Sequence, residues 1–255
     1  MRWSEQQRAM LDEMGIRLWD VREAASAAQA PAVPDAPADA EAHARPAPVE
    51  PDAVVRDVRV DVARMDWPAL RAAVATCTAC KLCKGRTNTV FGVGNERAHW
   101  MIVGEAPGEQ EDLQGEPFVG KAGQLLDNML LAIGLTRAPG PAERQVFIAN
   151  TLKCRPPRNR NPEPDELAMC EPYLSRQVAL VQPRIILAMG RFAVQSLLRS
   201  DEPVGRLRGR VHRYQDVPLI VTYHPAYLLR NLEDKAKAWD DLCLALEVAG
   251  AQSER

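Results

Sequence analysis

No apolar run in the sequence reaches the length of a membrane span, which argues against a helical transmembrane protein. The first residues, Met1-Arg2-Trp3-Ser4-Glu5, lack the apolar core of a secretory leader, so a cytoplasmic location is expected. A large charge of either sign is also missing: the formal net charge is −2 over 255 residues. That balance neither requires nor excludes nucleic-acid binding. No internal repeat is found, and the cysteines lack the second close pair that a zinc ribbon usually supplies.

What is present is a chain that can hold one sizeable domain and an appendage. Hydrophobic residues make up 46%, enough for a packed core. The charge is unevenly placed. Residues 1–66 carry 8 Arg and no Lys against 13 acidic residues, whereas the remainder holds 24 basic and 21 acidic residues, a mildly basic body.

Three zones follow. In residues 1–23, Met10, Leu11, Met14, Leu18 and Val21 recur at helical spacing, with Gly15 as an interruption. Residues 24–61 are Ala/Pro-rich and poor in large apolar side chains, as in Arg45-Pro46-Ala47-Pro48. Such a stretch buries too little surface to offset its ordering entropy and reads as a disordered linker. Residues 62–250 read as the folded domain. Short apolar runs at 99–104, 145–150, 184–189 and 218–222 predict buried strands, and amphipathic stretches at 122–134, 164–181, 190–199 and 232–247 predict helices. The alternation predicts a three-layer α/β/α fold around a mainly parallel sheet of four strands. In such folds the ligand lies beyond the carboxyl ends of the strands. Gly104-Glu105-Ala106-Pro107-Gly108, Asn150 and His224-Pro225 all fall there.

A reducing cytoplasm makes six cysteines better metal ligands or buried apolar residues than disulfides. Cys77-x2-Cys80 is a close chelating pair, and Cys154 and Cys170 follow at a distance. Four such thiolates suit structural zinc and a [4Fe–4S] cluster equally by spacing. Cys243 lies in an apolar helical pattern, Leu242-Cys243-Leu244, and reads as a buried bystander; Cys83 is near enough to compete as a ligand.

Each remaining motif has a plain alternative. The loop Gly104–Asp112 carries Glu105, Glu109, Glu111 and Asp112, a set that suits a divalent metal or one carboxylate poised for work, but also an ordinary strand-to-helix turn. Phe118 precedes a helix and suits either base stacking or covering the core edge. Asn150-Thr151-Leu152-Lys153-Cys154-Arg155-Pro156-Pro157-Arg158-Asn159-Arg160 puts Lys153, Arg155, Arg158 and Arg160 in eight residues, a phosphate-contacting loop or a merely solvated one. His224 is followed by Leu228, Leu229 and Arg230, an apolar wedge with a basic flank such as opens a DNA base step.

Taken together, Gly104-Glu105-Ala106-Pro107-Gly108 with Glu111-Asp112, Pro117-Phe118-Val119-Gly120, Asn150 with Lys153-Cys154-Arg155-Pro156-Pro157, and His224-Pro225 with Leu228-Leu229-Arg230 resemble the family 4 uracil-DNA glycosylases, the iron–sulfur type. The resemblance spans roughly residues 67–247. It implies a DNA-repair enzyme that flips uracil from single- or double-stranded DNA and hydrolyses its glycosidic bond. It implies a structural [4Fe–4S] cluster on Cys77, Cys80, Cys154 and Cys170, and no nucleotide cofactor. Phe118 would stack on the base, Asn150 would pair with its O4 and N3–H, and His224 would donate to O2. Leu228 would fill the gap in the duplex, and Glu111 would sit near the base's C5 edge. Ala106 and Gly108 would contact the base or the water, and Asn159 and Arg230 belong to the same substrate-binding set.

One departure stands out. Family 1 enzymes have an Asp directly after the position of Glu105, where this chain has Ala106, so either Glu105 or Glu111 positions the water or the oxocarbenium ion is reactive enough without such a group. The Arg/Lys-rich insert of the cross-linking branch is missing, which implies turnover. Residues Met10–Trp19 resemble the docking peptide of the clamp-loader psi subunit, implying a replication or repair partner; a helix capping its own domain fits the same residues. A monomer is expected. Two readings of other classes remain open: a non-catalytic iron–sulfur DNA-binding or redox module, and a zinc-stabilised nucleotide-binding protein.

Overall fold

The computed structural model describes residues 62–253, so the expectations for residues 1–23 and 24–61 lie outside the described residues. The description opens on helix α1 (Trp67–Ala75), capped by Asp66, whose side chain accepts the Ala69 N–H at 3.0 Å. There follow β1 (Val93–Gly94), β2 (Trp100–Gly104), α2 (Glu109–Gln114), α3 (Lys121–Ala132), β3 (Val146–Asn150), α4 (Pro164–Val181), β4 (Ile185–Met189) and α5 (Arg191–Leu198). The chain continues through α6 (Val204–Leu207), β5 (Val211–Tyr214), β6 (Val217–Thr222), α7 (Pro225–Leu228) and α8 (Asp234–Ser253).

The strands form one sheet in the order β1-β3-β2-β4-β6-β5. Its centre is parallel, with β2 paired to both β3 and β4, and β4 to β6. These are the four strands expected. The sheet nevertheless has six, because β1 and β5 add antiparallel edges. Neither edge has a buried apolar run. β1 is two residues long, and β5 is Val211-His212-Arg213-Tyr214, none of them buried. The β5–β6 turn is Gln215-Asp216 with φ of 47° and 66°. That backbone is the one a two-residue hairpin requires, here without the glycine that usually announces it.

Side chains alternate between the two faces of the central strands. Met101, Val103, Phe147, Ala149, Ile186, Ala188, Leu219 and Val221 pack with residues of α1, α4 and α5 on one face. Trp100, Ile102, Val146, Ile148, Ile185, Leu187 and Ile220 pack with α3 and α8 on the other. The three layers therefore follow from strands that are apolar throughout, each feeding two helical layers. Among the described residues no helix is long and apolar enough to cross a membrane.

The order of connection positions the site. From β2 the chain moves outward to β3, then crosses back over β2 to β4 and β6. The direction of winding reverses beside β2, and a crevice opens beyond the carboxyl ends of these strands.

Candidate active site and cysteine cavity

That crevice is a cleft of about 760 Å³. It is lined by Glu105, Ala106, Gly108 and Glu111 after β2, Asn150 at the end of β3, and His224 after β6. Phe118, Asn159 and Arg230 also line it, so nearly every site residue expected from sequence meets in one place.

Its floor is built on the pairing of the last residues of two strands, Gly104 of β2 beside Asn150 of β3. Asn150 is 2% exposed, and its Oδ1 has no hydrogen-bond partner among the described residues. Phe118 lies against the same spot in a left-handed backbone conformation, φ 56°. That backbone is held from behind: a Cβ on Gly123 of α3 would fall 1.8 Å from the Phe118 carbonyl oxygen. The Phe118 ring stacks on His224, centroids 5.3 Å apart and planes 26° from parallel.

His224 caps α7 through its ring: Nδ1 accepts the Ala226 N–H at 3.2 Å. With Nδ1 accepting, the ring proton belongs on Nε2. Burial is the main cause that takes the His224 pKa down to about 4; Arg230 pushes the same way, against the carboxylate of Glu111. The imidazole is thus a neutral donor at ordinary pH.

The two carboxylates after β2 differ sharply. Glu111 is fully engaged: Oε2 accepts the Gly108 N–H at 3.1 Å, and Oε1 accepts those of Val119 and Gly120 at 3.1 and 3.4 Å. It staples the Gly104–Gly108 loop to the Phe118 loop. Glu105 has no side-chain partner among the described residues, and burial alone raises its pKa to about 7. Asp112 is also structural, since its carboxylate accepts the Thr87 N–H at 2.9 and 3.0 Å. Glu111 and Asp112 therefore tie backbone segments together, and among the described residues this loop brings no three metal-ligating groups to one point.

Two further expectations are corrected. Leu228 does not reach the cleft. It is 1% exposed and belongs to the core facing α3 and α8, because α7 turns that position inward. Its neighbour Leu229 is 41% exposed. Lys153 does not belong to a phosphate-contacting surface, because it is buried. Its Nζ donates to the Asn150 carbonyl at 2.8 Å and to Gln177 Oε1 at 2.6 Å. Of the other cations in that loop, Arg160 forms a two-point ion pair with buried Glu166, and Arg155 donates to Asn159 Oδ1 at 2.8 Å. Arg158 stands exposed at a left-handed turn, φ 54°.

Some cleft residues were not anticipated. Tyr223 and Tyr227, a stacked pair with centroids 5.1 Å apart, line the cleft together with Gly190, Arg191, Val204 and Gly205. Gly190 follows β4 at the same sheet edge as the recognised motifs, and that position was the available signal.

Behind the floor lies a second, small cavity, lined by Cys77, Cys80, Cys83, Cys154 and Cys170 with Arg86, Lys153 and Tyr173. Cys83 therefore faces the same space as the four expected ligands, while Cys243 packs beside the other core on α8. Among the described residues no three Cys, His, Asp or Glu groups converge tightly enough for a single ion. A zinc ion with sulfur at about 2.3 Å requires such convergence. An iron–sulfur cluster is held by cysteine thiolates, and the lining of this cavity is rich in the sulfur donors it requires. Arg86 Nη1 donates to Cys154 Sγ at 3.1 Å and the Lys153 N–H donates to Cys170 Sγ at 3.3 Å, contacts suited to thiolates.

Residues 91–243 match the family model described as the uracil DNA glycosylase superfamily. A type-4 uracil-DNA glycosylase of Archaeoglobus fulgidus is 45% identical over 164 residues, covering 61% of this chain and 79% of the relative. One from Saccharolobus solfataricus is 44% identical, covering 62% and 74%. One from Pyrobaculum aerophilum is 39% identical, covering 71% and 93%.

Proposed function

The chain belongs to the uracil-DNA glycosylase superfamily, on its type-4 branch, and from that membership we propose how this cleft carries out the reaction. It is a uracil-DNA glycosylase acting in DNA repair: it takes uracil out of the base stack and hydrolyses its bond to deoxyribose, leaving an abasic site.

The observation that carries the site assignment is the buried, partnerless Oδ1 of Asn150 beneath Phe118. A buried acceptor left unpaired is unfavourable, and uracil supplies the missing donor through N3–H. The Asn150 amide then meets O4, while Phe118 covers the flat face of the base. Cytosine presents the reversed pattern, an acceptor at N3 and a donor at N4. It would leave polar groups unpaired, and sites of this kind discriminate by about 10⁴-fold or more.

Bond cleavage leaves negative charge on the uracil ring and positive charge on the sugar. The Nε2–H of neutral His224 is the donor assigned to O2, and one well-placed donor of this kind contributes roughly 3–4 kcal/mol to the transition state. Glu105, unpartnered and titrating about 7, positions the attacking water as a carboxylate. Glu111 acts through the two loops that it joins. The backbone from Ala106 to Gly108 faces the base, and Arg230 and Asn159 flank the DNA strand. Leu229, exposed beside Arg230, takes the wedge position expected of Leu228.

The family's iron–sulfur group, a [4Fe–4S] cluster, is assigned to Cys77, Cys80, Cys154 and Cys170. When bound, it would cross-link the segment before β1, the loop after β3 and helix α4, which carries Cys170. The reaction uses no nucleotide cofactor. Catalysis belongs to the domain spanning 62–250, while residues 1–23, tethered through 24–61, serve a replication or repair partner. The enzyme works in the cytoplasm as a monomer.

The test is release of free uracil from an oligonucleotide containing one uracil, with purified protein. Asn150→Ala and His224→Ala should each slow release on the order of 10²–10³-fold, to a residual rate still measurable in single turnover, while leaving DNA binding in place. Wild-type rates in both would remove the site assignment. Deleting residues 1–60 should leave excision unchanged.

A further inference from the structure

Lys153 does not suit its surroundings as a phosphate ligand or as an ordinary core residue. Its ammonium is buried, and no carboxylate among the described residues contributes to its electrostatic environment. Its two hydrogen-bond partners, the Asn150 carbonyl at 2.8 Å and Gln177 Oε1 at 2.6 Å, are both neutral. Gln177 is fixed in turn, since its Nε2 donates to the Phe91 carbonyl at 2.9 Å. A buried cation with neutral acceptors only is strongly unfavourable unless negative charge lies close by.

The nearest source of such charge is the cysteine cavity. Cys154 is the next residue, and the Lys153 N–H donates to Cys170 Sγ at 3.3 Å. As free thiols these groups carry no charge. As thiolates on an iron–sulfur cluster they carry enough to balance Lys153 on one side and Arg86, which donates to Cys154 Sγ at 3.1 Å, on another. The same ammonium reaches the carbonyl of Asn150, the last residue of β3, where the ladder to β2 ends at Gly104.

We infer that Lys153 is a positioning residue that couples the cysteine cavity to the cleft: the anionic group bound there compensates its ammonium, and the ammonium holds the Asn150 backbone so that its amide stays at the floor. The inference rests on the reading of Asn150 as the group that recognises uracil. It gives the cluster a second task besides cross-linking, since charge in one cavity fixes the geometry of the other.

The experiment uses the full-length, iron-loaded protein. Lys153→Met keeps the length of the side chain and removes the ammonium. Iron content, cluster reduction potential, melting temperature, and kcat and KM on a uracil oligonucleotide are measured, alone and in an Asn150→Ala background. The expected result is iron retained, a more negative reduction potential because a nearby cation has gone, and kcat down roughly 10- to 100-fold with KM near wild type. Added to Asn150→Ala, Lys153→Met should cause no further loss, because its effect passes through Asn150. Full kcat in Lys153→Met, or a loss that multiplies with that of Asn150→Ala, would overturn the inference. If Lys153→Met fails to fold or loses iron, Gln177→Met makes the same test without touching a neighbour of a cysteine. It should show a smaller kcat loss that vanishes in the Asn150→Ala background, and an unchanged kcat would count against Lys153. Wild-type uracil release by Asn150→Ala alone would instead strike the reading of Asn150.

Discussion

A Cβ on Gly104 would lie 2.4 Å from Oδ1 of Asn150, closer than any real contact of that kind. It would also lie 2.6 Å from the Phe118 ring, so the two proposed base-recognition groups and this glycine share one contact. Gly104→Ala should therefore displace both side chains while leaving β2 paired. A misplacement of about 1 Å is worth on the order of 100-fold in rate. Single-turnover excision should fall by about that factor, with far-ultraviolet circular dichroism unchanged. A variant at wild-type rate would mean that the floor yields to a methyl group and is less constrained than its contacts indicate.

The pH profile separates Glu105 from His224. Burial raises Glu105 from 4.5 to about 7, and the water-positioning role requires the carboxylate. The rate should climb as pH rises through about 7 and then level off. His224, held near 4, should not titrate in that window. Glu105→Gln should be slower by about 10²–10⁴-fold and lose the climb. The signs for stability follow from linkage. The raised Glu105 favours the fold below its ordinary pKa, and that contribution disappears as pH rises through about 7. The depressed His224 works the other way, with stability lost as pH falls from 6.5 towards 4. A wild-type rate that is flat from pH 6 to 8, matched by Glu105→Gln, would take Glu105 out of the reaction.

The central sheet was legible because its strands are continuous apolar runs, as in Ile185–Met189, which only a doubly covered sheet buries. Helix α4 was found at its observed bounds, Pro164–Val181, where Pro164 at its start and the amphipathic run agree. The edges were not legible: β5 has one exposed face and one only half-buried, and its hairpin turn lacks glycine. In the site, residue identity and strand-end position brought Asn150, His224 and Phe118 to one cleft, whereas the direction of single side chains stayed hidden. Lys153 sits in a run of arginines and reads as one of them, yet it turns inward to Gln177, 24 residues away on α4. Leu228 and Leu229 are adjacent and chemically alike, and only the turn of α7 decides which is buried. Glu111 and Glu105 are likewise separated by the backbone N–H groups around Glu111, which no pattern of residues encodes.

Five cysteines face one cavity, but the cluster is assigned four. Cys80 is the N-cap of a 3₁₀ turn, Lys81–Lys84, that contains Cys83, and in such a turn residues three apart point the same way. Serine replacement of Cys77, Cys80, Cys154 or Cys170 should each lower iron below one cluster per chain and bleach the broad absorbance at the visible–ultraviolet border. Cys83→Ser and Cys243→Ser should keep both. Iron loss in Cys83→Ser with retention in Cys80→Ser would exchange the two in the ligand set. Zinc in place of iron in the wild-type protein would defeat the cluster assignment altogether.

Leu228 and Leu229 give opposite expectations from one sequence step. Leu228 is enclosed between α7 and the core that includes Leu126 and Trp239, so Leu228→Ala leaves a cavity and should cost about 2–5 kcal/mol of stability. Leu229 projects beside Arg230, and its truncation removes little buried contact, so the melting temperature should hold within a degree or two of wild type, as is usual for surface changes of about 0.5 kcal/mol. Function should divide the other way. A wedge matters only where a stacked partner strand must be held open, so Leu229→Ala should slow excision from duplex DNA while leaving single-stranded excision near wild type. Leu228→Ala, assayed below its melting point, should slow both substrates alike or neither. If Leu228→Ala is the variant that selectively loses duplex activity, then α7 must rearrange on DNA and the wedge returns to Leu228.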